Sequence, residues 1–217
     1  HVALGAGNDR IEAGAGDDYA EGGSGQDTMI GDTPSSYTFD PSVIDIVEDY
    51  DMTLTFDYEG AGYRNSLGVY KVDPETGRID SVEMAWENAS LVGSGGDLVG
   101  GQSQKSVPVT AGEQLGFFVI GDGFSKNDFS AFEGKDLVFV DANGDPATIN
   151  DAAPRLAYVD DDGSHVFLEG HVYHSTTTDT NLNMNQDGMD HAVGLASNDI
   201  GSFRLGFEDL YGGGDMD

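Results

Sequence analysis

A nine-residue period at the start of the chain constrains its fold more than any other feature. Between Leu4 and Ile30 the sequence divides into LGAGNDRIE, AGAGDDYAE and GGSGQDTMI. Gly5, Gly14 and Gly23 fall in register, as do Gly7, Gly16 and Gly25, and as do Asp9, Asp18 and Asp27. Two residues after each aspartate stands an apolar position, filled by Ile11, Ala20 and Met29. Without that spacing, so much glycine and aspartate would predict disorder. With it, the glycines permit tight turns at positive φ, each aspartate points a carboxylate at a cation, and the apolar residue stands on a short inward-facing strand. Two units per coil would stack Asp9 and Asp27 on one side and leave Asp18 on the other.

The template GGxGxDxUx is that of the calcium-binding nonapeptide of RTX proteins. Only the third unit carries the first glycine of the pair, and Ala20 is a weak inward residue. Three units are about the minimum for a stable stack. The expectation is the end of a longer β-roll over residues 1–34, in a chain that reads as a piece of a longer protein, followed by one β domain over 35–217. No signal peptide is visible at His1, and no apolar run reaches the roughly 20 residues of a membrane span.

Charge narrows the partners. In 217 residues, 9 basic side chains face 40 acidic ones, a formal net charge of -31. Such a chain repels nucleic acid phosphates and anionic lipid, so neither is expected as a partner. Self-repulsion also opposes compaction unless cations neutralise it. There are no cysteines, so disulfides and thiolate metal sites are unavailable.

From Tyr37 onward, short apolar alternations are separated by turn residues. The strand candidates are VIDIVED, MTLTFDY, SLGVYKVD, RIDSVEM, EQLGFFVIGDG, DLVFVD, HVFLEGHVY and SFRLGFED, and MAWENAS is the one helix candidate. Strands so spaced argue for an all-β sandwich or jelly roll. Two polar loops interrupt it, Val92 to Ser106 and His174 to Asp190. Loops on a rigid sheet are where binding sites usually form.

Calcium takes six to eight oxygen ligands, often from acidic loops with glycine at the bends. In DANGDP, Asp141, Asn143 and Asp145 alternate as the first ligands of an EF-hand loop do. In NMNQDGMD, Asn183, Asn185 and Asp187 do the same and are followed by Gly188. The twelfth positions are Ala152 and Gly194, so these are not EF-hands; each is either a calcium loop completed from elsewhere or an Asx-rich turn. At the carboxyl end, Glu208, Asp209, Asp215 and Asp217 crowd a short segment with three consecutive glycines. Carboxylates so close repel one another unless a cation is bound.

NSLGVYKVDPETGRI, DHAVGLASND and FRLGFEDLYGGGDMD resemble a domain family of very large bacterial surface and secreted proteins, often found beside RTX repeats. Its members include the peptide-binding domains of RTX adhesins. The resemblance spans Tyr63 to Asp217, and the terminal motif is its most specific part. It implies a calcium-rich β-sandwich that captures the free carboxylate end of a short peptide through calcium. Carried over residue by residue, it makes Glu208, Asp209, Asp215 and Asp217 metal ligands, with Asp190 and His191 as site neighbours. The family motif continues with a further apolar and acidic pair, where this sequence stops at Asp217.

Catalysis is not expected. No HExxH helix and no GxSxG elbow occurs, and on a strand His171 and His174 fall on opposite faces, one core and one surface. The expectation is therefore a calcium-dependent binding module of an extracellular adhesin, monomeric within a longer chain. It would take a peptide or protein carboxyl terminus on another cell, with a cell-surface glycan as the alternative ligand and a rigid calcium spacer as the alternative role. Asp187, Thr177 in the loop's threonine run, and Tyr211 as a stacking aromatic complete the expected ligand site.

Overall fold

A computed structural model of the chain describes residues 44–60, 62–176, 183–196 and 202–212, together with strand residues 2–3, 10–12, 20–21, 28–30 and 38–39. The chain is nearly all β, as the alternation implies. It forms two compact units, His1–Phe39 with Leu195–Arg204, and Asp40–Gly194 with Leu205–Asp217. The first thus draws on a later segment that the repeat pattern does not announce.

In the first unit, β1 (Val2–Ala3) pairs in parallel with β3 (Ala20–Glu21), and β2 (Arg10–Glu12) with β4 (Thr28–Ile30). Val2 lies opposite Ala20 and Ile11 opposite Met29, an offset of 18 residues in each case. Eighteen is two nonapeptides, so one coil takes two units and successive strands alternate between two sheets. A further strand, β5, covers Thr38–Phe39. Asp9, Asp18 and Asp27 lie outside the described residues.

The second unit is built on antiparallel sheets. Its strands are β6 (Ile44–Asp45), β7 (Tyr50–Thr55), β8 (Ser66–Val72), β9 (Ile79–Trp86), β10 (Gln104–Val109), β11 (Gln114–Ile120), β12 (Leu137–Val140), β13 (Arg155–Val159), β14 (His165–Phe167) and β15 (Val172–His174). The strands β16 (Ala192–Ala196) and β17 (Phe203–Phe207) pair with each other. The main sheet runs β14-β13-β12-β9-β8-β11-β15, with β6 added beside β11, and β7 pairs separately with β10. Its central strands are buried on both faces: in β11, every residue from Leu115 to Ile120 is buried, which explains its unbroken apolar run. The core gathers Tyr70, Phe118, Phe139, Ile120, Leu156 and Met184. Tyr70, Phe118 and Phe139 contact one another with centroids 5.2–6.2 Å apart.

Two expectations fail here. MAWENAS is not a helix: Met84, Ala85 and Trp86 end β9, and Glu87 to Ser90 run on without regular structure. Buried residues in β9 fall at Ile79, Val82 and Ala85, a spacing of three that imitates a helix. The cause is two register shifts against β8, one of them at Ser81, whose φ is +47°. Each bulge adds a residue and turns the next side chain over. The second failure is the loop Val92 to Ser106, whose end belongs to β10. That strand is polar on its outer face and contains Pro108, which an edge strand tolerates because its N–H is not needed. The helical turns that do form are α1 (Gly123–Lys126) and a 3-10 turn at Phe129–Phe132.

Candidate functional site

Three segments of the second unit meet around the carboxyl-terminal acids. The first is β15 with the loop residues 183–191, the second the turn at Asn65, and the third Glu208 to Gly212 after β17. Asn185 and Met184 pin the first. Met184 is a core residue, and Asn185 is buried, its Oδ1 accepting from the His174 N–H at 2.7 Å and its Nδ2 donating to Met189 O at 2.8 Å. The amide is thus a brace across the loop, already engaged at both ends. Asn183, by its carbonyl, accepts from the Ala153 N–H at 2.7 Å.

Asp187 is the hub. Its Oδ2 accepts from the Gly212 N–H and faces His191 Nε2, both at 2.8 Å, and its Oδ1 accepts from the Met189 N–H at 3.2 Å. Burial works against its ionised form, but these donors outweigh it and hold the carboxyl below the usual range. His191 is fully buried, and its Nδ1 lies 2.9 Å from the Glu208 carbonyl. Both ring nitrogens therefore face oxygens, the Glu208 carbonyl on one side and the Asp187 carboxylate on the other. Tyr173 stacks on that ring at 4.0 Å between centroids. Its phenol is held well above the ordinary range, first by burial and then by the negative charge of Asp187, Asp209 and Glu208.

Glu208 and Asp209 remain. They are only 4% and 6% exposed. Asp209 Oδ2 accepts from Asn65 Nδ2 at 2.6 Å, and the same Asn65 accepts from the Asp122 N–H at 2.9 Å through Oδ1. Glu208 Oε1 accepts from the Leu210 N–H at 2.9 Å, whereas Oε2 is buried with no partner among the described residues. No lysine or arginine pairs with either acid among the described residues. A buried carboxylate oxygen with no donor demands a cation or a proton. Among the described residues no three His, Asp or Glu side chains converge on one point. A calcium ion at Glu208 would thus complete its shell from backbone oxygens, water, ligand, or Asp215 and Asp217. Those two acids, and Thr177, lie outside the described residues.

Other expected residues sort differently. Asp141 is closed on itself: its Oδ1 accepts from the N–H groups of Asn143 and Asp145 at 2.8 and 2.9 Å, and Asn143 Nδ2 donates to its Oδ2 at 3.0 Å. This is a satisfied Asx turn, with Asp145 following it and Gly144 at φ +90°. Asp190 is exposed and accepts from the Ala192 N–H at 3.1 Å. Tyr211 is 57% exposed and leans on the exposed His171 ring at 4.9 Å, while His171 Nδ1 meets Gln186 Oε1 at 2.7 Å. Sequence reasoning missed Asn65, which holds Asp209 across 144 residues and carries no local signal.

Residues 4–33 match the family described as RTX calcium-binding nonapeptide repeat (4 copies). No curated protein and no solved structure matches the chain. Such repeats bind calcium and are typical of secreted proteins, and among the described residues no helix is long and apolar enough to cross a membrane. The nine-residue period, the 18-residue strand register and this match agree that residues 4–33 are RTX calcium-binding nonapeptide repeats.

Proposed function

We propose that the second unit is a calcium-dependent ligand-binding module of a large extracellular bacterial adhesin, and that it takes the carboxylate end of a peptide. The observation that carries this reading is the buried pair Glu208 and Asp209, with Glu208 Oε2 unpaired among the described residues. Calcium, when bound there, supplies a positive charge that a peptide carboxylate can share. The chain's own residues then build the rest. Asn65 fixes the Asp209 carboxylate, Asp187 ties the Gly212 turn to the loop, and His191 locks both to Tyr173. Outside this cluster, Tyr211 and His171 present an exposed aromatic pair for a ligand side chain.

Calorimetric titration with one peptide in two forms tests the idea. The free acid should bind in calcium, and both C-terminal amidation and chelation should abolish the heat. Equal binding of acid and amide would end the carboxylate reading.

A further inference from the structure

We infer that the groove beside the end of β9 is a second binding site, for a neutral saccharide. It lies among Met84–Asn88, the turn Gly95–Leu98, Lys105 and Phe124, has a volume of about 620 Å³, and opens to solvent. Ligand sites commonly span about 300–1,000 Å³. The walls are fixed without any ligand. Asn88 Nδ2 donates to Gly95 O at 3.0 Å, the Gly96 N–H to Leu91 O at 3.3 Å, and the Ser66 hydroxyl to Glu87 O at 2.6 Å. A side chain at Gly96 would place its Cβ 2.1 Å from Ser90 O, so the turn closes against the Ser90 backbone only because glycine stands there.

The groove combines rings with unpaired polar groups. Trp86 is half-buried and sits edge-on to Phe56 at 6.1 Å, and Phe124 is half-buried with the Arg64 guanidinium 5.3 Å from its centroid. Among the described residues, Glu87, Asp97 and Lys105 are exposed and make no ion pair, and Asn88 Oδ1 has no partner. Two carboxylates on a chain of net charge -31 disfavour an anionic ligand, and Glu87, Asp97 and Lys105 set hydrogen-bond acceptors and a donor side by side. A neutral ligand rich in hydroxyls suits every group. Its hydroxyls donate to the carboxylates and accept from the ammonium, and its C–H face lies on Trp86. The site uses none of the residues of the Glu208–Asp209 cluster.

Trp86 is the chain's only tryptophan, so its emission reports on this groove alone. Titration in calcium buffer with maltotriose, cellotriose and chitotriose should give a saturable change for at least one of them. Glu87→Gln and Asp97→Asn, both at exposed positions, should each weaken it by roughly tenfold or more, the worth of one charge-assisted hydrogen bond, with melting temperature unchanged. Three results would overturn the proposal: no change with any saccharide at its solubility limit, saturation undiminished in both variants, or a response to a neutral amidated tripeptide and to none of the sugars.

Discussion

His174 gives the second unit a defined sensitivity to acid. It is fully buried, with its ring 4.9 Å from Phe139 and 5.7 Å from Tyr70, its Nδ1 3.3 Å from the Tyr70 hydroxyl, and its Nε2 without a partner among the described residues. Burial pushes its pKa from 6.5 down to about 3. In the unfolded chain the same ring protonates near its model value. Between those two values the unfolded state binds more protons, so stability falls as pH falls. Linkage gives about 1.4 kcal/mol per pH unit once the unfolded ring is charged, and integration from pH 7 to about pH 5 gives a loss of about 2 kcal/mol. His174→Phe keeps the ring packing and removes the titration, leaving the Tyr70 hydroxyl to lose a weak partner equally at every pH. Urea unfolding at both pH values, with calcium present throughout, should show the variant losing about 2 kcal/mol less than wild type on acidification, or about 4–8 °C in melting temperature. Equal acid losses in the two proteins would refute the reasoning.

Other positions give sharper structural tests. In Gly68→Ala the new Cβ would lie 2.1 Å from Phe118 Cζ and 2.7 Å from Glu83 O, so a fully buried ring and a backbone carbonyl must both yield. The expected cost is about 3 kcal/mol or more, read by urea unfolding. Asn185→Ala strands the buried His174 N–H and frees the Met189 carbonyl; about 2–3 kcal/mol should be lost, with new proteolytic cleavage within 183–191 as the readout. Chelation should lower the melting temperature, because metal-binding energy is folding energy for the stacked repeats, and an unchanged melt in EDTA would contradict this.

The repeat was legible because its period is local: nine residues in sequence become an 18-residue register between strands. The long apolar strands were legible too, since β8 and β11 need only a run of residues buried on both faces. What escaped had a non-local cause. The two bulges of β9 exist because of its pairing with β8, and they turn a strand's period of two into an apparent three. β13 (Arg155–Val159) and β16 (Ala192–Ala196) are not among the strand candidates. At the site, the terminal acids announced themselves, but Asn65 did not. NMNQDGMD alternates like the start of an EF-hand loop, but its sequence does not show that Asn185 braces the loop and that Asp187 joins Gly212 to His191.

An acidic chain uses aspartate for two purposes that composition cannot separate. Asp73, Asp141 and Asp162 each accept backbone N–H groups from the next few residues, and each carboxyl is held below its usual range, chiefly by hydrogen bonds. Asp73 and Asp141 are half-buried and Asp162 is exposed, and each carboxylate serves as a turn-former. Glu208 differs in kind, since its Oε2 is buried with no donor in reach among the described residues. The contrast gives a prediction of opposite signs. Glu208→Gln removes a buried charge at nearly constant shape. In EDTA, where nothing offsets that charge, the variant should be more stable than wild type by about 1–3 kcal/mol. In saturating calcium it should be less stable, because the carboxylate that holds the ion is gone. Paired melts with and without chelator read both signs at once. A change of the same sign in both conditions would mean that the acid is simply part of the packing, and the cation reading of the site would fall with it.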